Sequence, residues 1–311
     1  MTRILIVGAG ATGGCFGARL AGAARDVTFL VRPRRAAELR ADGLRIATPE
    51  GTERLEPKLV TATELDAPYD LILLTVKAGS LDAALHDLKP AVGPRTVIVP
   101  FLNGVDHLDV IGTQFPSAVL GAVVKVAAQL TPDGAITVSG PAASLEIGEL
   151  DGEHTTRLRD AAVALDGAGF DVDVSDHILT SMWHKWVFIA TTTAITCLAQ
   201  GTIGDVAAVG GGKEFSEAVL AETAAVSDAA GHPLPDAAYV ALQATMTQEG
   251  SPFAPSMYRD IKDARPTEVE HVLAALAREA KRHGLATPLL NAAVVRLRVH
   301  NQHVANAPRP S

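Results

Sequence analysis

The chain begins with a short apolar run that breaks directly into a glycine-rich turn. Residues 4–7 read Ile-Leu-Ile-Val, which is typical of a strand buried on both faces. A helix-like run over residues 15–23 follows the turn. A strand, a glycine turn and a helix in this order predict the dinucleotide-binding unit of a doubly wound α/β fold. The residues predicted to contact the cofactor there are Gly8, Ala9, Gly10, Ala11, Thr12 and Gly13.

Each glycine of this Gly-x-Gly-x-x-Gly pattern has a separate task. Gly8 allows the tight turn, Gly10 lets the backbone approach a pyrophosphate, and Gly13 lets the helix pack close to the strand. The first N–H groups of the helix, helped by its dipole, then face the phosphates. The alternative is a glycine-rich turn in a domain that has lost its ligand.

The second apolar run, residues 27–31, ends in Arg32-Pro33-Arg34-Arg35. A site for NAD usually places Asp or Glu here, about 20 residues beyond the glycines, to accept from the ribose 2′-hydroxyl. This strand end has arginines instead, and the planar guanidinium is suited to bidentate, charge-assisted bonds with a phosphate. The sequence therefore predicts NADP(H), with Arg32 best placed. The alternative is a solvated basic start of the next helix.

Composition limits the class of protein. A chain of 311 residues is long for one core and sufficient for two domains. The formal net charge of −8 argues against nucleic acid or an anionic membrane as the main partner. No apolar run reaches the roughly 20 residues that a membrane helix needs. The two cysteines lie far apart and the N-terminus does not resemble a signal peptide, so we expect a reduced, cytoplasmic setting without a metal.

The pattern of elements changes near residue 175. Before it, short apolar runs alternate with helical patterns, which predicts a mainly parallel sheet with late antiparallel additions, including a hairpin at Pro132-Asp133-Gly134. After it, four long segments carry helical patterns: residues 176–200, 214–230, 235–248 and 267–282. We expect a Rossmann-like α/β domain over residues 1–174 and an all-α domain over residues 175–311, with the substrate in the cleft between them. Residues 306–311 are expected to fray.

The predicted helix over residues 176–200 contains a single lysine, Lys185, among apolar side chains. Ile178, Met182 and Ile189 share its face. A lysine in a buried helix is costly unless it is paired, and burial lowers its pKa toward the range useful for proton transfer. Lys185 is therefore a candidate to protonate a carbonyl oxygen as a hydride reaches the carbon. The alternative is a lysine that snorkels to the surface.

Further candidates follow predicted strands or begin a predicted helix. Lys77 and Asn103 each follow a strand, at the edge where open sheets bind ligands, although an Asn-Gly pair is also common in turns. Thr267 and Glu270 predict a capping box. Glu268 would then lie in the first helical turn, where the helix dipole alone favours a carboxylate.

Taken together, these residues resemble the ketopantoate reductases (2-dehydropantoate 2-reductases) along essentially the whole chain. The resemblance lies in the order and spacing of Gly8-x-Gly10-x-x-Gly13, Arg32, Val76-Lys77-Ala78, Asn103-Gly104, Trp183-x-Lys185, Ser256-Met257-x-x-Asp260 and Arg265-x-Thr267-Glu268. It implies a Rossmann domain with a helical domain. It also implies the NADPH-dependent reduction of 2-oxopantoate to (R)-pantoate, a step towards pantothenate and coenzyme A.

The resemblance implies roles for individual residues as well. The residue that matches Lys185 is the general acid, and the one that matches Glu268 contacts the substrate and helps hold that lysine. The residues that match Asn103 and Ser256 bind the substrate. The residues assigned to the cofactor side are Arg32, Lys77 and Asn103.

Three positions depart from the family pattern. The family commonly has asparagines four and eight residues after the lysine, where this chain has Ile189 and Thr193. An Asn-Gly some eighteen residues after the lysine corresponds here to Ile203-Gly204. Several donors for the carboxylate and hydroxyl groups of pantoate are therefore absent, which predicts a more apolar pocket.

Three hypotheses follow. The chain is a ketopantoate reductase with a variant pocket, a family member that reduces another, more apolar 2-oxo acid or carbonyl, or a regulator that senses NADPH without catalysis. The retained Lys185 and Glu268 speak against the regulator. The expected partner is a small-molecule 2-oxo acid, and no interface signature decides whether a homodimer forms.

Overall fold

The computed structural model describes residues 1–48 and 51–307. The chain divides into two compact units, Met1–Ser181 and Met182–Ser311. Within the described residues the first unit contains ten strands: β1 (Arg3–Val7), β2 (Asp26–Leu30), β3 (Leu44–Thr48), β4 (Gly51–Leu55), β5 (Lys58–Val60), β6 (Leu71–Leu74), β7 (Val97–Pro100), β8 (Gly121–Leu130), β9 (Ile136–Gly148) and β10 (Asp171–Val174). Its helices are α1 (Ala11–Gly22), α2 (Pro33–Asp42), α3 (Leu81–Asp87), α4 (Asp106–Gln114) and α5 (Thr156–Leu165).

The first sheet is parallel and has the order β5-β2-β1-β6-β7. The chain starts at the central strand β1, adds strands on one side and then crosses to add strands on the other, which is the Rossmann order. The predicted strands of this sheet form because their apolar residues are buried on both faces. The register aligns their last residues in one row: Leu30, Val7, Leu74 and Pro100.

The second sheet has the order β10-β9-β3-β4, with β8 paired to β9. The predicted hairpin at Pro132-Asp133-Gly134 is confirmed as the antiparallel pair of β8 and β9. The antiparallel additions are not only late, however, because β3 and β4 form a second hairpin early in the chain. This hairpin escaped prediction because β4 is mostly exposed and carries polar side chains.

Helix α1 packs against strands of both sheets. It begins at Ala11, four residues before the predicted start, so the second half of the glycine pattern is already helical. Phe16 at its centre meets the rings of Phe101 and Phe170 edge-on, with ring centroids 5.1 and 4.6 Å apart. One core therefore fixes the glycine turn to both sheets.

The second unit is built of helices joined by loops and has no strand among its described residues, as the sequence predicts. Helix α6 (Ile178–Ala199) leads into it, and its further helices are α7 (Ile203–Ala207), α8 (Gly212–Ala229), α9 (Asp236–Met246), α10 (Ser256–Lys262), α11 (Val269–Arg282) and α12 (Pro288–Asn306). The short helices α7 and α10 and the long α12 were not predicted. The domain limits 1–174 and 175–311 stay a prediction, and the two compact units divide within α6.

Helix α12 includes Asn306, so the prediction of fraying is wrong at that residue. Residues 308–311 of that tail lie outside the described residues. Over residues 1–48 and 51–307 there is no helix whose length and apolar character would let it cross a membrane.

Candidate functional site

The predicted cofactor residues of the first unit lie beyond the ends of adjacent parallel strands. They are Gly8 after β1, Arg32 after β2, Lys77 after β6 and Asn103 after β7. Strands β1 and β6 are the pair at which the chain changes direction across the sheet. Open α/β sheets bind ligands at this point, outside the carboxyl ends of the strands. The fold thus gathers these four residues along one edge, and Asn103 is half-buried there between β7 and α4.

The start of the glycine turn is tightly packed. Gly8 has a φ of +101°, which side chains of L-residues rarely allow. A Cβ on Gly13 would lie 2.1 Å from Thr75 Oγ1 and 2.2 Å from the Gly8 carbonyl oxygen, so only glycine fits. Thr75 Oγ1 donates to the carbonyl oxygens of Val7 and Gly8, each at 2.9 Å. Sequence reasoning missed Thr75, although a hydroxyl residue directly after an apolar strand is a usable signal.

The middle of the turn is open instead. A Cβ on Gly10 would have no atom within 4 Å among the described residues. The first helical bond of α1 runs from the Gly14 N–H to the Gly10 carbonyl at 2.8 Å. The N–H groups of Ala11, Thr12 and Gly13 therefore have no acceptor within the helix. Open backbone followed by such N–H groups suits the pyrophosphate of a dinucleotide.

Two of the arginines after β2 belong to the scaffold. Arg34 Nε donates to Glu38 Oε1 at 3.1 Å, and Arg35 Nη1 donates to Glu38 Oε2 at 3.2 Å. These hydrogen bonds, that of Arg35 foremost, hold the pKa of the Glu38 carboxyl below its ordinary value. Arg35 Nη2 also lies within 3.5 Å of the Ala9 carbonyl and 3.3 Å of the Gly134 carbonyl. Arg35 thus connects the glycine turn to the β8–β9 hairpin.

Arg32 has a different environment. Its Nη2 donates to Ser80 Oγ at 3.2 Å, so the guanidinium reaches the segment that follows β6. Lys77 lies three residues before Ser80, and both Arg32 and Lys77 are exposed. Within the described ranges Arg32 forms no ion pair. Its charge is thus available to an anion at the same edge of the sheet as the glycine turn.

In the second unit, Lys185 is half-buried in α6. Met182, Trp183 and Trp186 are buried around it, whereas Ile189 one turn later is half-buried. The expectation that this helix is buried therefore does not hold at this turn. An open strip of half-buried side chains, namely Lys185, Phe188 and Ile189, runs along α6 here.

Helices α6 and α11 are joined next to Lys185. Trp186 Nε1 donates to the Val272 carbonyl at 2.9 Å. Val272 lies one helical turn after Glu268, whose carbonyl accepts the Val272 N–H at 3.2 Å. Glu268 is half-buried at the N-terminal end of α11. The structure therefore brings Lys185 and Glu268 to the same helix junction.

The start of α11 differs from the predicted capping box. The backbone N–H and Oγ1 of Thr267 donate to Asn301 Oδ1 of α12, at 2.8 and 3.0 Å. Glu270 pairs with Arg298 of α12 through two bonds of 2.6 and 2.7 Å. The capping-box prediction is wrong because α12 supplies partners to both residues. Glu268, between them, occupies the N-cap position rather than the first helical turn.

Ser256 is exposed at the first position of α10. The loop before it, residues 251–255, is fixed to the second unit by the Ile203 N–H, which donates to the Phe253 carbonyl at 3.1 Å. The ring of Phe253 meets that of Phe188 in α6 at a centroid distance of 5.6 Å and an angle of 61°. This loop therefore lies beside the turn of α6 that carries Lys185.

The three departures from the family pattern have different surroundings. Ile189 is half-buried, whereas Thr193 and Ile203 are 0% exposed. Thr193 Oγ1 has no hydrogen-bond partner in the described part of the chain. Of the three positions, only Ile189 therefore offers accessible side-chain surface.

Comparison with protein families gives two matches that together span most of the chain. The family described as "Ketopantoate reductase PanE/ApbA" matches residues 4–152. The family described as "Ketopantoate reductase PanE/ApbA C terminal" matches residues 177–301.

Individual proteins are similar over nearly their full lengths. The "uncharacterized oxidoreductase YkpB" of Bacillus subtilis is 33% identical over 299 residues, which are 96% of this chain and 98% of that protein. The structure of a 2-dehydropantoate 2-reductase from Methylococcus capsulatus is 27% identical and covers 99% of this chain and 100% of its own, with a TM-score of 0.84. A D-mandelate dehydrogenase in complex with NADH and anilino(oxo)acetate has a TM-score of 0.88 at 22% identity, covering 97% of this chain and 99% of its own. This last likeness concerns the fold.

Proposed function

Because the chain belongs to the ketopantoate reductase PanE/ApbA family, oxidoreductases that act on CH–OH groups, we propose that it reduces a 2-oxo acid to the 2-hydroxy acid with NADPH. The observation that carries this proposal is the junction of α6 and α11. It holds a half-buried lysine, Lys185, near a half-buried carboxylate, Glu268, through the bond from Trp186 to Val272. A protein that only senses NADPH has no need of such a pair.

The first unit supports a nicotinamide dinucleotide with a 2′-phosphate. The open backbone at Gly10 and the N–H groups at the start of α1 suit the pyrophosphate. Arg32 suits the 2′-phosphate because its guanidinium lies at the β2 strand end without a carboxylate partner among the described residues. Lys77, exposed after β6, adds a second positive charge at this edge.

The second unit supports the proton transfer. When bound, NADPH supplies a hydride to the carbonyl carbon of the acid. The electron pair of the C=O π bond then moves to the oxygen, and Lys185 Nζ donates the proton that completes the hydroxyl group. Solvent returns a proton to the lysine, which the open strip of α6 allows. Glu268, at the same helix junction, orients the ammonium group between turnovers.

Among 2-oxo acids, ketopantoate is the first to test, since the family is named for it, and its reduction would place the chain in pantothenate synthesis. The test is NADPH oxidation, followed at 340 nm, by purified protein with ketopantoate and a panel of other 2-oxo acids. Lys185→Met should lower kcat by about 10²–10⁴, the usual range for a positioned proton donor. NADPH binding, followed by fluorescence, should persist.

The matched control is Lys281→Met, which removes an exposed lysine near the end of α11. It should leave kcat within about twofold, since surface substitutions away from special features have small effects. A Lys185→Met protein that turns over like the control would exclude Lys185 as the acid. Absence of turnover by the parent protein with every acid would exclude the reductase.

A further inference from the structure

The accessible surface of α6 in the turn that follows Lys185 is made of hydrocarbon. Phe188 and Ile189, three and four residues after Lys185, are half-buried and lie on its side of the helix. Phe253 packs edgewise against Phe188 and is 37% exposed. Single exposed apolar side chains are ordinary, but here two follow Lys185 on its side of α6 and the third packs against one of them.

The polar groups of the following turns of α6 are all turned inward. Thr192 Oγ1 donates to the carbonyl oxygens of Phe188 and Ile189, at 2.8 and 3.1 Å. Thr196 Oγ1 donates to the Thr192 carbonyl at 2.7 Å. Over residues 186–196 every threonine is 0% exposed, so α6 presents no accessible polar side chain there.

The neighbouring loop, residues 251–255, has backbone carbonyls that are bonded within the second unit. The carbonyl of Phe253 accepts the Ile203 N–H at 3.1 Å, and the carbonyl of Ser251 accepts the Gly204 N–H at 2.9 Å. These two carbonyls already accept a hydrogen bond within the second unit. A hydroxyl group placed against the hydrocarbon of Phe188 and Ile189 would lose its water without gaining a partner from those side chains.

We propose that Phe188, Ile189 and Phe253 form an apolar subsite for the side chain of the substrate. The preferred substrates are then 2-oxo acids with a branched or aromatic hydrocarbon side chain, and ketopantoate, which carries a hydroxyl group, is a poor one. This inference rests on the proposed function, because it concerns the specificity of the same reaction. It favours a family member that reduces a more apolar 2-oxo acid over a ketopantoate reductase with a variant pocket.

A pair of acids that differ by one hydroxyl group tests the proposal. Ketopantoate is 3,3-dimethyl-2-oxobutanoate with a hydroxyl on one methyl group, so the two share shape and reactive centre. The ratio of kcat/KM for the deoxy acid over ketopantoate should be about 10 to 100, the discrimination that an apolar pocket achieves against an added hydroxyl. Calorimetric titration of the two 2-hydroxy acid products into the NADP⁺ complex should give the same order of affinities.

Ile189→Asn restores an amide at the one accessible departure from the family pattern. It should lower the ratio of kcat/KM for the deoxy acid over ketopantoate at least fivefold, chiefly by raising kcat/KM for ketopantoate. Val240→Asn is the matched control, since Val240 is 61% exposed on α9, and it should leave the ratio unchanged.

Phe253→Ala tests the subsite from the loop side, where the exposed ring makes folding a lesser concern. It should lower kcat/KM for phenylglyoxylate about tenfold and that for pyruvate less than twofold. An equal fall for both acids would mean that Phe253 only supports the fold.

The outcomes separate the two proposals. A parent protein that reduces ketopantoate at least as well as its deoxy analogue overturns the apolar subsite and leaves the reductase standing. A parent protein that reduces neither acid, nor any other in the panel, overturns both. A ratio above about 10 that Ile189→Asn lowers and Val240→Asn does not supports the subsite.

Discussion

Replacing Arg32 with alanine should reduce the preference of this protein for NADPH over NADH. The guanidinium lies two residues beyond the end of β2, and within residues 1–48 and 51–307 it donates only to the hydroxyl of Ser80, at 3.2 Å. In the proposed complex it would bind the 2′-phosphate that NADPH has and NADH lacks. Arg32→Ala should therefore weaken the binding of NADPH and leave the binding of NADH nearly unchanged.

The structure sets the size of the effect. A charge-assisted hydrogen bond contributes about 1.5–3 kcal/mol, and the exposure of Arg32 places this contact at the lower end because water screens it. About 1.5 kcal/mol corresponds to roughly a tenfold rise in the KM for NADPH. The effect should shrink as salt is added, since the Debye length is about 10 Å at 0.1 M.

The assay is steady-state kinetics with both cofactors at one saturating 2-oxo acid concentration. Arg34→Ala is the matched control, because Arg34 is 93% exposed and its partner Glu38 keeps Arg35. A helix-surface pair of this kind contributes about 0.3–0.5 kcal/mol, so the control should shift the KM for NADPH less than about twofold. If Arg32→Ala leaves the ratio of kcat/KM for NADPH over NADH as it is in the parent, Arg32 has no part in binding the 2′-phosphate.

Three further predictions concern cofactor binding and stability. Gly13→Ala should lower Tm and abolish NADPH binding, because its Cβ would fall 2.2 Å from a backbone carbonyl oxygen. Gly10→Ala should fold normally and only weaken the binding of NADPH. Thermal melts with and without NADPH distinguish the two effects. Trp186→Phe should lower the free energy of unfolding by about 1 kcal/mol through the lost bond to α11, and an unchanged denaturation midpoint would show that this bond does not stabilise the junction. Burial would raise the pKa of Glu149, but hydrogen bonds, chiefly from Arg157, outweigh it and hold that pKa below its usual value. The ion pair of Glu149 with Arg157 thus stabilises the fold above the unfolded-state pKa of about 4.3, and this stabilisation is lost as the pH falls through the folded-state pKa. Glu149→Gln should therefore lower Tm at pH 7, and its Tm should approach that of the parent protein in acid. A Tm difference that stays constant with pH would contradict this.

Most of the parallel sheet was predictable because β1, β6 and β7 are continuous apolar runs, whereas the short edge strand β5 was not predicted. Strands β6 and β7 are buried along their whole length, and so is β1 after its first residue. Strand β4 has the opposite character, since it is mostly exposed and is defined by its pairing with β3. A strand that is held mainly by backbone pairing with an adjacent strand leaves little trace in local hydrophobicity, so this antiparallel pair was missed.

The candidate site was predictable at positions where the backbone conformation or close packing allows only one residue type. Glycine at Gly8 and Gly13 follows from backbone conformation and close approach, which the motif encodes. The partners of Thr267 were not predictable, because Asn301 lies more than thirty residues away and competes with the local capping box. Nor was the contact of Phe253 with Phe188, which arises from packing between a loop and a helix.

The most direct test of the proposed reaction is product analysis with purified protein, NADPH and 3,3-dimethyl-2-oxobutanoate. Mass spectrometry should find the 2-hydroxy acid in an amount equal to the NADPH oxidised, formed about 10²–10⁴ times more slowly by Lys185→Met. Ketopantoate in parallel should give its hydroxy acid at lower efficiency. The account is contradicted if NADPH is consumed without a 2-hydroxy acid, or if Lys185→Met forms it at the parent rate.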